Sequence, residues 1–278
     1  MKITLWGTRG SLPEAGQETL RYGGNTSCVA VQGKGGTLLV LDGGSGIRRF
    51  GANLDPDVRE VDILLTHLHM DHIQGLGFFK PLFKPGVRID IWGPPSATQH
   101  LRERLGKYLS PPLFPVRIRD LPCVLTFRDA PRGEFQVGEF RVKADLVCHP
   151  GPTVGYRVEE NGSSLAYLPD HEPAIGQERL RGDPEWISGY DLARGVDILI
   201  HDAQYTEAEY QGKVGWGHSS IRHTIDFASI AGAGKLIAFH HDPAHRDEEI
   251  EQMVDDASAA YEPAFEVLPG WEGAEFDL

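Results

Sequence analysis

Cysteine is scarce in this 278-residue chain. Cys28, Cys123 and Cys148 are the three present, with no Cys-x-x-Cys and no paired spacing. That argues against a disulfide framework and reads as buried thiols in a reducing compartment, the cytoplasm by default. Long apolar runs are missing as well, so no segment is expected to span a bilayer and no membrane partner follows. Met1-Lys2-Ile3-Thr4-Leu5-Trp6 runs directly into Gly7, which leaves no room for the apolar core of a targeting signal. Positive charge is in deficit: Lys and Arg number 27 against 40 Asp and Glu, a formal net charge of -13. A protein that grips a polyanion normally carries a basic footprint. The balance therefore makes long nucleic acid an unfavoured partner and favours a small substrate. Tandem repeats are absent. What remains is ordinary for a soluble protein: a 40% hydrophobic content supports a substantial core, in one large α/β domain or two small ones.

The most informative stretch is Thr66-His67-Leu68-His69-Met70-Asp71-His72, directly after the apolar run Val61-Asp62-Ile63-Leu64-Leu65, which reads as a buried strand. A strand delivers its last side chains in a fixed direction. His67 and His69, two apart on extended chain, point to the same side. Asp71 and His72 precede Ile73-Gln74-Gly75-Leu76, can open a helix, and aim at a neighbouring point. The spacing thus offers two histidines to one metal and a carboxylate plus a histidine to a second. Zinc, iron or manganese accept such ligands. Three histidines and an aspartate at the end of an apolar strand would be costly to leave without a partner.

This His-x-His-x-Asp-His signature resembles that of the metallo-β-lactamase-fold hydrolases. The similarity implies a four-layer αβ/βα sandwich forming one domain over residues 1–278, with the site along one edge where strand ends meet. It also implies later ligands in a set order. Val147-Cys148-His149-Pro150-Gly151 places His149 at the mouth of a strand, where the family has its next ligand. Pro169-Asp170-His171 supplies Asp170 as the bridging carboxylate, although the flanks depart from the family's Gly-Asp-Thr, and His171 competes. Lys235-Leu236-Ile237-Ala238-Phe239 ends at His240-His241-Asp242-Pro243, where alignment on Pro243 selects His240 over His241. Asp42, in Asp42-Gly43-Gly44, sits near the family's Asp-x-Gly position and is expected to brace the metal loop by hydrogen bonds. Carried over residue by residue, His67, His69 and His149 hold one divalent cation. Asp71, His72 and His240 hold the other, with Asp170 between them and zinc the expected metal.

Within that family two further loops resemble the phosphodiesterase and tRNA 3′-processing branch. His201-Asp202-Ala203-Gln204 is similar to its His-Glu-Ala-Thr, and Gly217-His218-Ser219-Ser220 to its Gly-His-Ser-Thr. The resemblance implies that a metal-bridging hydroxide attacks phosphorus, with Asp71 and His218 in catalytic roles. His218 acts on the leaving oxygen and Asp202 holds its tautomer. The competing reading has Ser219 capping a helix that begins near Ile221, leaving His218 facing solvent. The expected function is hydrolysis of a small or cyclic phosphodiester. tRNA 3′-end processing is the alternative, and a metal-bearing sensor with little catalysis a third reading. Bacterial tRNA-processing forms carry a Gly/Pro-rich arm after the metal loop. Here residues 75–147 read as strands and a helix: a strand at 88–93, a helix from Ala97 to Tyr108, and hairpin-like strands at 123–128 and 139–148. The proline-rich 109–116 is a lid, a homodimer contact or a linker. Further along, Asp247 to Tyr261 reads as an amphipathic helix and Phe265-Glu266-Val267-Leu268 as a closing strand.

Overall fold

The structure is a computed structural model and describes residues 1–180 and 183–278. Alternating apolar residues build the first sheet. Ile3 and Leu5 of β1 (Lys2–Gly7) are buried while Lys2, Thr4 and Trp6 are only partly so, the period-two pattern of a strand with one face on a core. β2 (Cys28–Gln32) and β3 (Leu38–Leu41) follow antiparallel, and β4 (Glu60–Leu64), β5 (Arg88–Gly93) and β6 (Val124–Asp129) continue in parallel. The second sheet opens with β7 (Gly133–Val137), β8 (Phe140–Leu146), β9 (Val154–Glu160) and β10 (Ser163–Leu168), all antiparallel. It continues in parallel through β11 (Ile198–Asp202), β12 (Lys235–Phe239) and β13 (Glu266–Pro269). β14 (Glu275–Asp277) then returns to pair with β1, so each sheet has seven strands.

The two sheets face each other over a shared core that includes Leu5, Val29, Leu41 and Leu64 from the first and Val142, Tyr156, Ile200 and Phe239 from the second. On its outer face the first sheet packs Val40, Val61 and Ile63 against Ile47 and Phe50 of α1 (Gly46–Asn53) and against Leu76 and Phe79. The second sheet carries α6 (Ile221–Ala231) and α7 (Asp247–Tyr261) on its outer face, through Ile225, Phe227, Met253 and Val254. Short helices occupy the connections: α2 (Met70–Ile73), α3 (Leu101–Gly106), α4 (Tyr190–Ala193) and α5 (Glu207–Tyr210). The order helix, sheet, sheet, helix is a four-layer αβ/βα sandwich.

Two local expectations differ from the structure, and one strand has no counterpart among them. The strands near 123–128 and 139–148 do not form a hairpin with each other, because β6 extends the first sheet beside β5 while β8 pairs with β7 in the second. β8 alternates buried and exposed residues while β6 has none fully buried, and a strand's own pattern does not say which neighbour it will take. The helix expected from Ala97 spans only Leu101–Gly106; before it, the Ser96 hydroxyl accepts from the Thr98 and Gln99 N–H groups, a local turn that competes with helix. β14 was not anticipated.

Candidate metal centre

The site forms where strand ends of both sheets meet, as is general for sheets with parallel connections. The chain leaves β4 and passes through Thr66 to His67 and His69, after which Asp71 and His72 open α2. The first sheet thus presents four donor side chains. The second sheet adds His149 after β8, Asp170 after β10 and His240 directly after β12.

These seven residues fall into two clusters whose ligand atoms converge to within 4.8 Å: His67, His69 and His149 in one, Asp71, His72, Asp170 and His240 in the other. Nδ1 of His69 lies 3.3 Å from Nε2 of His149, and the His67 and His69 rings sit 4.4 Å apart, edge to face. Nε2 of His72 lies 2.9 Å from Asp170 Oδ1, and Nε2 of His240 lies 3.1 Å from Asp71 Oδ2 and 3.3 Å from Asp170 Oδ1. Asp170 also reaches the first cluster, with Oδ2 3.7 Å from Nε2 of both His67 and His149. His171 turns away from both clusters, its ring between His201 Nε2 at 2.9 Å and the Ser188 hydroxyl at 3.1 Å. His241 turns away too and donates to the Gly270 carbonyl.

Supporting groups fix the rings. Asp42 is fully buried and accepts from the Thr66 N–H (2.7 Å), from Nδ1 of His72 (2.8 Å) and from the Tyr167 hydroxyl (3.0 Å). With Nδ1 of His72 so engaged, Nε2 is aimed into the cluster. The Ser11 N–H donates to Asp71 Oδ2 at 2.8 Å. Gln204 Oε1 stands 3.3 Å from Nδ1 of His240, and the Gly217 carbonyl 2.8 Å from Nδ1 of His149. Gly10 is packed so closely that a Cβ there would lie 2.3 Å from the His240 ring. Gln204, Tyr167 and the N–H of Ser11 carry no signal in the sequence, because each becomes relevant only through a contact across the fold.

The donor chemistry fits divalent cations. Burial drives His67 well below the ordinary histidine pKa, with the neighbouring His72 second, and burial lowers His69 and His149 also. Neutral imidazole is the state that can bind a cation. Burial works against ionising Asp170 and Asp71, yet the surrounding histidines hold both well below the usual carboxylate range. For His72 burial opposes the charge while Asp170, Asp71 and Asp42 hold the ring well above the usual value. Two ionised carboxylates in a water-excluded place call for compensating positive charge. Moreover, Nε2 of His67 and Oδ1 of Asp170 are buried without an aligned hydrogen-bond partner, which is unusual for such atoms.

Beside both clusters stands His218. Its Nδ1 is 2.7 Å from Asp202 Oδ2, and its ring stacks on His240 at 4.9 Å and 16° and meets His149 edge-on at 5.2 Å. Asp202 is fully buried and also accepts from the N–H groups of Gln204 (3.0 Å) and Ser219 (3.1 Å). Burial disfavours the His218 imidazolium, but Asp202, with Asp170 and Asp71 behind it, pushes the ring up to about 9. The helix cap is Ser220, whose hydroxyl accepts from the His223 N–H, rather than Ser219. His218 is only 9% exposed, so it is no solvent-facing residue.

Comparison with known proteins agrees with this architecture. A model of the beta-lactamase superfamily domain matches residues 39–241, a span that includes both clusters and the His218–Asp202 pair. The chain is 26% identical over 259 residues to ribonuclease Z of Kineococcus radiotolerans, covering 81% of this chain and 80% of that protein. Among solved structures, Zn(2+)-bound PqqB from Methylobacterium extorquens superposes with a TM-score of 0.72 at 18% identity over 100% of both chains. A diphosphatase of the PhnP family gives 0.70 at 18% identity, over 100% of this chain and 97% of that one. The chain belongs to the beta-lactamase superfamily, and its paired sheets with flanking helices are the metallo-β-lactamase fold of metal-binding hydrolases.

Proposed function

We propose that this chain is a metal-dependent phosphodiesterase acting on a small or cyclic phosphodiester. The observation that carries the reading is the His218–Asp202 pair set against both candidate metal clusters. We assign His67, His69 and His149 to one cation, Asp71, His72 and His240 to a second, and Asp170 to both. Bound there, divalent cations supply Lewis-acid polarisation of a phosphoryl oxygen and an acidified water, and zinc is the metal this imidazole-rich set suits best, ahead of manganese or iron.

The protein's own groups do the rest. Asp202 accepts a hydrogen bond from the Nδ1–H of His218, which fixes the ring and its tautomer and leaves Nε2–H to protonate the departing alkoxide. The Ser11 N–H and Asp42 hold Asp71 and His72 in place by hydrogen bonds. The names of the similar proteins support chemistry at phosphorus: one is a ribonuclease, another a diphosphatase. The three free cysteines fit a reducing compartment, and we place the protein in the cytoplasm. No helix among the described residues is long and apolar enough to cross a membrane.

A second reading, tRNA 3′-end processing, is favoured by the ribonuclease Z relatives. Against it stand the net charge of -13 and the segment from Gly75 to Val147, much of which lies in β5, β6, β7, β8 and α3. The test is hydrolysis of bis(p-nitrophenyl) phosphate after chelation and reloading with zinc or manganese. Metal-dependent turnover that Asp71→Ala abolishes is the expected result, with faster cleavage of cyclic nucleotides than of a tRNA carrying a 3′ trailer. Two bound metals without turnover of any phosphodiester would overturn the proposal, and faster cleavage of the tRNA would replace it with the second reading.

A further inference from the structure

We propose that Trp216 and Lys213, in the segment that leads into His218, form a subsite for a nucleobase on the substrate. The inference rests on the phosphodiesterase reading and deepens it by naming the class of substrate.

The segment between α5 and His218 is pinned from below. Glu172 is 2% exposed, and its carboxylate accepts from the Tyr210 hydroxyl (2.8 Å), the Gly215 N–H (2.8 Å) and the Gly217 N–H (2.7 Å). Gly215 and Gly217 have φ of +83° and +89°, a region that side-chain-bearing residues rarely adopt. At Gly217 a Cβ would also lie 2.2 Å from Nδ1 of His149. Between these two glycines Trp216 is 57% exposed. A half-exposed indole on a segment held this firmly offers a fixed, flat apolar surface that a ligand can cover.

Its surroundings indicate what does. The Lys213 ammonium lies 4.1 Å from the Trp216 ring centroid and 5.6 Å from that of Tyr205. The Tyr205 ring in turn packs edge-on against His218 at 6.0 Å. The cation sits over the indole and steadies it, and the exposed part of the ring is available to a flat aromatic group. The same ammonium supplies positive charge near the site. The Gly217 carbonyl meets Nδ1 of His149, so the platform is joined directly to the first metal cluster. A planar ring together with a cation beside a phosphoryl-transfer site matches a base attached to a phosphate. Stacking on an aromatic side chain is tolerant of which base it is.

The experiment measures binding of adenosine monophosphate and of ribose 5-phosphate to the zinc-loaded protein by calorimetry, for wild type, Trp216→Ala and Trp216→Phe. Wild type is expected to prefer the nucleotide by about tenfold. Trp216→Ala should bind the two alike, with ribose 5-phosphate affinity unchanged, and Trp216→Phe should keep most of the preference. A wild type that does not distinguish the two ligands, or a Trp216→Ala protein that keeps the full preference, would overturn the subsite. Because binding is read without turnover, lack of phosphodiester hydrolysis would count against the proposed function alone. Hydrolysis accompanied by indifference to the base would count against the subsite alone.

Discussion

At the scale of single residues, the site rests on hydrogen bonds that engage Nδ1 of His72, His149, His218 and His240 and leave Nε2 facing inward. His218 commits Nδ1 to Asp202, and replacing it with alanine removes the proposed proton donor while leaving all seven assigned ligands in the chain. His218→Ala is expected to keep fold and metal content while losing about 10²–10⁴-fold in turnover of a substrate with a poor leaving group. The loss should be much smaller with p-nitrophenolate, which departs without a proton. Equal losses on both substrates would remove His218 from the acid role. Asp42 presents a different dependence. All its hydrogen-bonding neighbours are donors: the Thr66 N–H and hydroxyl, His72 Nδ1 and the Tyr167 hydroxyl. Asp42→Asn turns an amide N–H₂ on one of them and frees the His72 ring to rotate. Zinc affinity, measured by competition with a chelator, should fall roughly 10–100-fold.

Among the elements, the segment between α5 and His218 depends on a group that local pattern does not reveal. Glu172 lies near Asp170 in sequence, yet its partners are Tyr210, Gly215 and Gly217. Glu172→Gln places an amide donor against one of three donors, and a buried mismatch of that kind costs about 1–3 kcal/mol. The variant should melt at lower temperature. It should also bind its first metal more weakly, since Gly217 holds His149. The conservative Glu172→Asp is expected to recover neither in full, because the shorter side chain cannot span all three donors. An unchanged melting temperature in Glu172→Gln would show that the segment is held by something else.

For the molecule as a whole, acid stability has a contribution from two histidines buried as neutral rings behind the site residues Asp202 and His240. Burial lowers His201 to about 4 and His241 to about 3, and both are fully buried. Below about pH 6.5 the unfolded chain takes up protons at these positions and the folded chain does not. The contribution of these two rings is therefore full above that pH and falls as pH drops toward the folded-state values, by about 3 kcal/mol for His201 alone. Urea midpoints of metal-free protein between pH 7.5 and 4.5 should show this slope, and His201→Gln should flatten it. Parallel slopes in the two proteins would mean that His201 accepts its proton while still folded.

Much of this arrangement could be read before any coordinates. The residues His67, His69, Asp71 and His72 are named by their spacing, because a strand end followed by a helix start fixes where four consecutive donors can point. Asp247 to Tyr261 is legible as α7 from its amphipathic period. His149, Asp170 and His240 lack such local logic and were identified only through family order. The placement of β6 and β7 in different sheets, the terminal strand β14, and the roles of Glu172, Gln204 and Tyr167 were decided by tertiary structure alone. Their effects come from contacts tens to more than a hundred residues apart in the chain, and a period or a spacing records nothing at that range. The sequence determined which side chains could bind a cation; the facing of two sheets decided which of them meet, since only the packed core brings the ends of β4, β8, β10 and β12 to one edge.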